Sequence, residues 1–301
     1  MAKTVANGIR VPKKRKAWNL FFLALPLMLL VFMFNYVPLL GWVLSLFEYI
    51  PGTPLLKNKF VGLKYFRILF TSRDMARVMF NTIMFSLIRL ALLACPMFFA
   101  VLLNEIGSKR FRKSIQTLTT LPYFISWIIV YSLAFSMFSS EGLITQALGM
   151  KQSILTDKDT VYWFQSLLTL WKNLGWDSII YIAAIAGIPQ ELYEAAAVDG
   201  AGYFRRAIYI TIPELMNTFI VLLLLFIANF INNGMDQYFA FRNTLVLDQI
   251  ENLELYSYRL GLQLGDYSFA TAVGIFKSVV SIALLFAANT FAKKVRGTPI
   301  I

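Results

Sequence analysis

Residues Glu191–Pro213 read ELYEAAAVDGAGYFRRAIYITIP and lie between two strongly apolar segments. The stretch is too polar, and too broken by glycine, to cross a membrane. Glu191 to Val198 are good helix formers, with small residues at Ala195, Ala196 and Ala197. Asp199-Gly200-Ala201-Gly202 interrupts them, and glycine takes the left-handed conformation that ends a helix. Phe204 to Ile210 can start a second short helix, and Pro213 suits the first turn of the next long one. The expected product is a compact helix-turn-helix at a membrane surface. Its small-residue face would let another protein approach closely.

Composition sets the class. Of 301 residues 58% are hydrophobic and 15% charged, with a mean hydropathy of +0.64. A soluble domain has nearer a quarter charged, so a polytopic, all-α membrane protein is expected. There is no histidine, which removes the commonest general base and zinc ligand. The one cysteine, Cys95, lies in an apolar run, so a disulfide framework and a thiolate metal cluster are both excluded. The net charge of +12 does not signal nucleic acid, because the basic residues cluster between apolar spans instead of interleaving with aromatics.

Six spans are expected, at about 18–47, 78–103, 115–138, 161–188, 214–234 and 269–291, each with the roughly 20 residues needed to cross hydrocarbon. The first is too long for a signal peptide and lacks a cleavage site; Pro26 and Pro38 are candidate kinks. Between the spans lie a mixed segment 48–75, whose part from Phe60 to Phe70 alternates basic and apolar residues and reads either as an interfacial segment or as an ordinary loop, a basic turn at 107–114, and polar loops at 139–160 and 235–268. Six spans put both termini on one side. That side holds 15 lysines and arginines in short segments, against nine in longer ones opposite. The termini and 190–213 are therefore expected in the cytoplasm. The domains expected are a basic N-terminus 1–17, a membrane domain 18–292 and a basic C-terminus 293–301. No phosphate-cradling GxxxxGK[ST] pattern occurs.

Glu194-Ala195-Ala196, three residues, Gly200, nine residues, Ile210, one residue, Ile212-Pro213 resembles the EAA loop of ABC importer membrane subunits. Leucine is usual where Ile212 stands. Asp199 and Ala201 fit the sugar-permease form, and Trp171, Gly175-Trp176 and the tail from Tyr256 to Asn289 resemble its oligosaccharide and polysaccharide branch. The resemblance implies the type I importer permease fold in a bacterial cytoplasmic membrane. It implies a second six-span permease of different sequence, two cytoplasmic ATPases and an extracellular or periplasmic sugar-binding protein as partners, besides membrane lipid. This chain would bind no cofactor, since ATP and Mg would sit on the ATPases, and would not itself be an enzyme. Glu194, Ala195, Ala196, Asp199, Gly200, Phe204, Ile210 and Pro213 would couple to the ATPase: Ala195 and Ala196 permit close approach, Gly200 turns the chain, and Phe204 anchors.

Polar residues at membrane depth are candidates for the substrate pathway. Arg89 sits mid-span, where a charge faces protein or water; a structural pairing and a pathway role are both open. Lys172 and Asn173 lie beside Trp171 and Trp176, and indole faces beside hydrogen-bonding groups suit sugar rings. Asn229, Asn232, Asn233, Asp236 and Gln237 recur at helical spacing, as a stripe on the outer half of the fifth span. For each of these sets helix-packing contacts are the alternative. Lys277 is read as snorkelling, and Tyr256, Tyr258 and Arg259 as interfacial anchors or a docking surface. A secondary transporter would need a mid-membrane carboxylate. Asp177 is the clear candidate, since Glu105, Glu214 and Asp236 lie at span ends. A membrane enzyme lacks the usual acid–base sets. An ABC importer of a non-sugar solute is also open.

Overall fold

In a computed structural model the described residues are 15–150 and 152–296. Most of the two basic termini lies outside them. The described chain is mostly helical, with one short antiparallel ribbon, β1 (Phe47–Glu48) against β2 (Lys59–Phe60).

Five stretches are long and apolar enough to cross a membrane: Phe21–Leu46, Arg73–Asn104, Trp127–Ala147, Tyr203–Ala228 and Tyr267–Lys293. The helix at Val161–Ala186 has 26 residues. It has the length of a span, but Gln165, Lys172, Asn173 and Asp177 lower its hydropathy.

Proline explains most departures from the expected spans. The first consists of α1 (Arg15–Val31), a π turn Phe32–Tyr36 and a 3-10 segment Val37–Leu46. Pro38 has no N–H for the helix behind it, and the wider turn just before it absorbs the misfit. After α2 (Lys64–Thr71), the second span divides into α3 (Arg73–Leu92) and α4 (Cys95–Asn104). Pro96 cannot donate to the Leu92 carbonyl, so the ladder breaks there. The third expected span, 115–138, is not one helix. α5 (Lys109–Thr120) already includes the basic stretch expected as a turn; Leu121–Phe124 is a 3-10 turn around Pro122; and α6 (Trp127–Phe138) restarts on Ser126, whose Oγ accepts from the Ile129 amide at 3.4 Å. The expected loop 139–160 holds α7 (Leu143–Ala147) and a 3-10 turn.

α8 (Val161–Ala186) leads to α9 (Gln190–Val198). The second short helix expected after it does not stand alone. α10 (Tyr203–Arg206), a π turn Ala207–Thr211 and α11 (Ile212–Ala228) run on as one helix. The π turn again directly precedes a residue followed by proline, here Ile212-Pro213. The fifth span ends at Ala228 and not at 234. The chain then folds over the bundle through α12 (Asp236–Phe241), α13 (Leu247–Ile250) and α14 (Leu253–Tyr258) before α15 (Tyr267–Arg296).

Met97 and Ala100 of α4, Tyr181 and Ile185 of α8, and Ala207 and Leu215 form one buried cluster. A second joins α2, α3, α14 and α15 through Leu69, Val78, Leu253, Tyr256 and Phe269. α5 and α8 approach so closely at Gly175 that a Cβ there would lie 2.3 Å from the Thr119 carbonyl oxygen. The apolar window of Phe21–Leu46 has 0% of its residues buried.

Candidate functional site

The segment 190–213 is a short helix closed by a glycine. Gly200 has φ +74°, and no atom lies within 4 Å of where its Cβ would be, so backbone conformation and not space demands the glycine. The Ala201 amide donates to the Ala196 carbonyl at 2.8 Å, and the Gly200 amide to Ala197 at 3.1 Å. This paired closure satisfies the last carbonyls of α9 without outside help. The side chains are therefore left free. Glu194, Ala195, Asp199 and Pro213 are exposed, Ala196 and Ile210 half-buried, and Phe204 79% exposed. Behind them the Tyr193 hydroxyl lies 3.0 Å from Thr211 Oγ1, tying α9 to the helix that becomes α11. Glu105, just past α4, faces the same region. Burial pushes its carboxyl up, and the nearby Arg206 partly opposes that.

A second site lies within the bundle. A cavity of about 340 Å³ is lined by Arg89, Asn173, Asp177 and Asn229, with Tyr181 and Phe226 among its walls. Arg89 Nη1 donates to Asn233 Oδ1 at 3.3 Å, and its guanidinium lies 5.7 Å from the Phe226 ring centroid. Asn233 is held in turn by its Nδ2, which donates to the Thr82 carbonyl at 2.9 Å. Arg89, Asn173 and Asn229 thus meet, Asn233 stands directly behind, and Asp177 joins them.

The other candidates lie elsewhere. Lys172 is buried on the opposite side of α8, where its Nζ donates to the carbonyls of Pro122 at 3.0 Å and Tyr123 at 2.6 Å. It satisfies backbone freed by the break between α5 and α6. Trp176 stacks on Tyr123, centroids 4.3 Å apart, while Trp171 is exposed away from the cavity. The polar stripe expected on one helical face does not exist as such, because the helix stops at Ala228. Asn232 donates to Asn229 Oδ1 at 3.2 Å in the turn that follows, and Asp236 is exposed. Gln237 is buried, donating to the Gln165 carbonyl at 2.7 Å and accepting from Thr169 Oγ1 at 2.6 Å.

Sequence reasoning passed over Glu251. It is fully buried, and its carboxylate accepts from Arg259 Nη2 at 3.0 Å and Arg77 Nη2 at 3.2 Å. Arg77 also pairs with Asp248. Tyr256 and Arg259 are therefore not free for docking, since Tyr256 is buried and Arg259 is held. Lys277 does not snorkel; its Nζ lies 2.6 Å from Glu254 Oε1.

Residues 92–297 match the family of binding-protein-dependent transport system inner membrane components. The chain is 39% identical to Protein LplB of Bacillus subtilis (strain 168) over 290 residues, covering 93% of this chain and 90% of LplB. It is 36% identical to YteP of the same strain, a polygalacturonan/rhamnogalacturonan transport system permease, covering 91% of this chain and 88% of YteP. Among solved structures it is similar to a chain of a bacterial ABC transporter involved in import of the acidic polysaccharide alginate. The TM-score there is 0.85 at 30% identity, over 94% of this chain and 97% of that one. A second structure of the alginate transporter, in complex with alginate pentasaccharide-bound periplasmic protein, matches with TM-score 0.85 at 31% identity, over 95% and 98%.

Proposed function

The chain belongs to the family of binding-protein-dependent transport system inner membrane components, and from that premise we propose that it is the membrane permease of an ATP-driven sugar importer. Its cargo is an oligosaccharide delivered from outside by a binding protein. The observation that carries this is the open segment 190–213: a self-satisfied helix end with exposed Glu194, Phe204 and Asp199, continuous through Tyr203–Ala228 with a membrane-length helix. A partner pushing on α9 would tilt α11 directly.

Counting α8, fourth in chain order, brings the spans to six and puts both termini on one side, and the basic excess on that side places them and 190–213 in the cytoplasm. The membrane domain runs over 18–292, between basic tails. Two separate ATPase chains bind ATP and Mg and do the hydrolysis; a second six-span permease of different sequence completes the pore. Glu194, Ala195, Ala196, Asp199, Gly200, Phe204, Ile210 and Pro213 form the coupling surface. Arg89, Asn173 and Asn229 line the sugar's path, and Asn233 orients Arg89. Lys172, Trp176 and Gln237 hold the helices that frame it.

Mild-detergent pull-down of the tagged chain from its native membrane, with mass spectrometry, tests the assembly. The expected result is an ATPase and a second six-span protein at equal stoichiometry. Recovery of the chain alone under the gentlest solubilisation, with uptake that survives ATP depletion and collapses with an uncoupler, would instead favour an ion-coupled carrier using Asp177.

A further inference from the structure

A second polar cavity lies apart from the one lined by Arg89, Asn173 and Asn229. It has about 530 Å³ and lies behind the segment 190–213, between that segment and the ends of α4, α5 and α8. Glu105, Arg112, Gln116, Gln190, Tyr193 and Arg206 supply its polar wall. None of these is needed for the outward face that a partner would grip.

Two guanidiniums converge here. On α5, Lys109, Arg110 and Lys113 are exposed, whereas Arg112 is half-buried and turned into the cavity. Arg206 lies 4.7 Å over the Tyr203 ring, and its Nε is buried with no hydrogen-bond partner among the described residues. Neither arginine makes an ion pair among the described residues. Glu105 is the one carboxylate in the wall. The nearby Arg206 offsets its charge.

We propose that this cavity binds a phosphate group, clamped between Arg112 and Arg206, whether carried by a small soluble ligand or by the headgroup of an anionic phospholipid. Planar guanidinium forks match phosphate oxygens two at a time. The amides of Gln116 and Gln190 add neutral donors. Because Arg112 stands on α5 and Arg206 on α10, a bound phosphate ties the coupling segment to the bundle and restrains the motion that segment must transmit. The side of the membrane follows from the orientation proposed above; the binding does not, and it is measured without uptake.

The tagged full chain, purified with its partners, is tested in two arms. In the first, inorganic phosphate is titrated against chloride at matched ionic strength and the melting temperature is read. A saturable rise of roughly 2–4 °C is expected of a soluble ligand. In the second, native mass spectrometry compares retention of phosphatidylglycerol and phosphatidylcholine after exposure to both. Preferential retention of phosphatidylglycerol assigns the site to lipid. In either arm the signal must disappear in Arg112→Gln/Arg206→Gln and persist in Lys109→Gln/Arg110→Gln, whose side chains point away. Should the double arginine variant fail to assemble, Gln116→Glu places a carboxylate in the cavity and must abolish the signal by repulsion. No signal in either arm, or one that survives Arg112→Gln/Arg206→Gln or Gln116→Glu, overturns the proposal.

Discussion

At one end of the bundle Val198, Tyr203 and Phe204 are 88%, 67% and 79% exposed; at the other Glu251, Asn252 and Leu253 are 0%, 0% and 1% exposed. The first end closes its own backbone. The Gly200 turn satisfies the last carbonyls of α9, so side chains there are free to meet a partner. The second end is closed by groups distant in sequence. Asn81 Nδ2 donates to the carbonyls of Asp248 at 2.8 Å and Glu251 at 2.9 Å, and the Leu253 amide donates to Thr82 Oγ1 at 3.1 Å. The Tyr162 hydroxyl donates to Asn81 Oδ1 at 2.6 Å. The open end and the sealed cap both carry polar and charged side chains. They differ in whether the hydrogen bonds are local or span the fold.

The largest effect expected is on transport. Glu194→Arg and Gly200→Trp should reduce uptake to background while the protein still inserts, the first melting as before and the second only slightly lower. Glu194 is exposed, and the cost of a side chain at φ +74° is only about 1–2 kcal/mol. Radiolabelled oligosaccharide uptake, with a melting curve on the same preparation, reads both. Normal uptake in both variants would break the assignment of this end to coupling. Glu251→Ala should do the reverse. It leaves Arg77 and Arg259 facing each other without their shared partner, at about 3–5 kcal/mol of stability. A fall in the folded fraction in detergent, seen by size-exclusion fluorescence, is the expected sign. A melt unchanged from the parent would mean that the cap does not depend on that charge.

This contrast also explains what could be read from the chain alone. The turn at Gly200 depends on a few consecutive residues, so residue type and spacing were sufficient to anticipate it. The presence of membrane-length apolar segments was equally local. Their ends were not, because proline acts through the amide it lacks. Pro96 and Pro122 divided what hydropathy joined, and the polar run from Asn229 to Gln237 read as a helical face although its helix had ended. Lys172 and Glu251 were the least legible. Each is fixed by groups far along the chain, Lys172 by the carbonyls of Pro122 and Tyr123, Glu251 by Arg77 and Arg259. No periodicity announces such pairings. Arg89 was legible as a costly charge, but not its meeting with Asn173 and Asp177.

A mid-sized effect belongs between the two ends, where α5 meets α8. Gly175→Ala forces a Cβ to within 2.3 Å of the Thr119 carbonyl oxygen, so the helices must part. Overpacking of this kind costs about 1–3 kcal/mol. Thermal melts of Gly175→Ala and Gly200→Ala side by side should show the larger loss at 175, where space is lacking, and the smaller at 200, where only backbone conformation resists. Equal losses would mean that the close approach at 175 relaxes freely.

The smallest effect separates burial from charge as the cause of the sealed cap. Lys64 and Glu48 also pair at the Glu251 end, 3.5 Å apart, but their side chains are 46% and 49% exposed. Water already solvates both charges, so the pair gains only about 0.2–1 kcal/mol and loses most of that in high salt. A double-mutant cycle with Lys64→Gln and Glu48→Gln should give a coupling in that range. The corresponding cycle with Arg259→Gln and Glu251→Gln should give a clearly larger one that salt barely moves, because Glu251 has no exposed surface. If the two couplings came out equal, desolvation would not be what makes the Glu251 network matter. The rigidity of the cap would then have to rest on the hydrogen bonds from Asn81 and Thr82 instead.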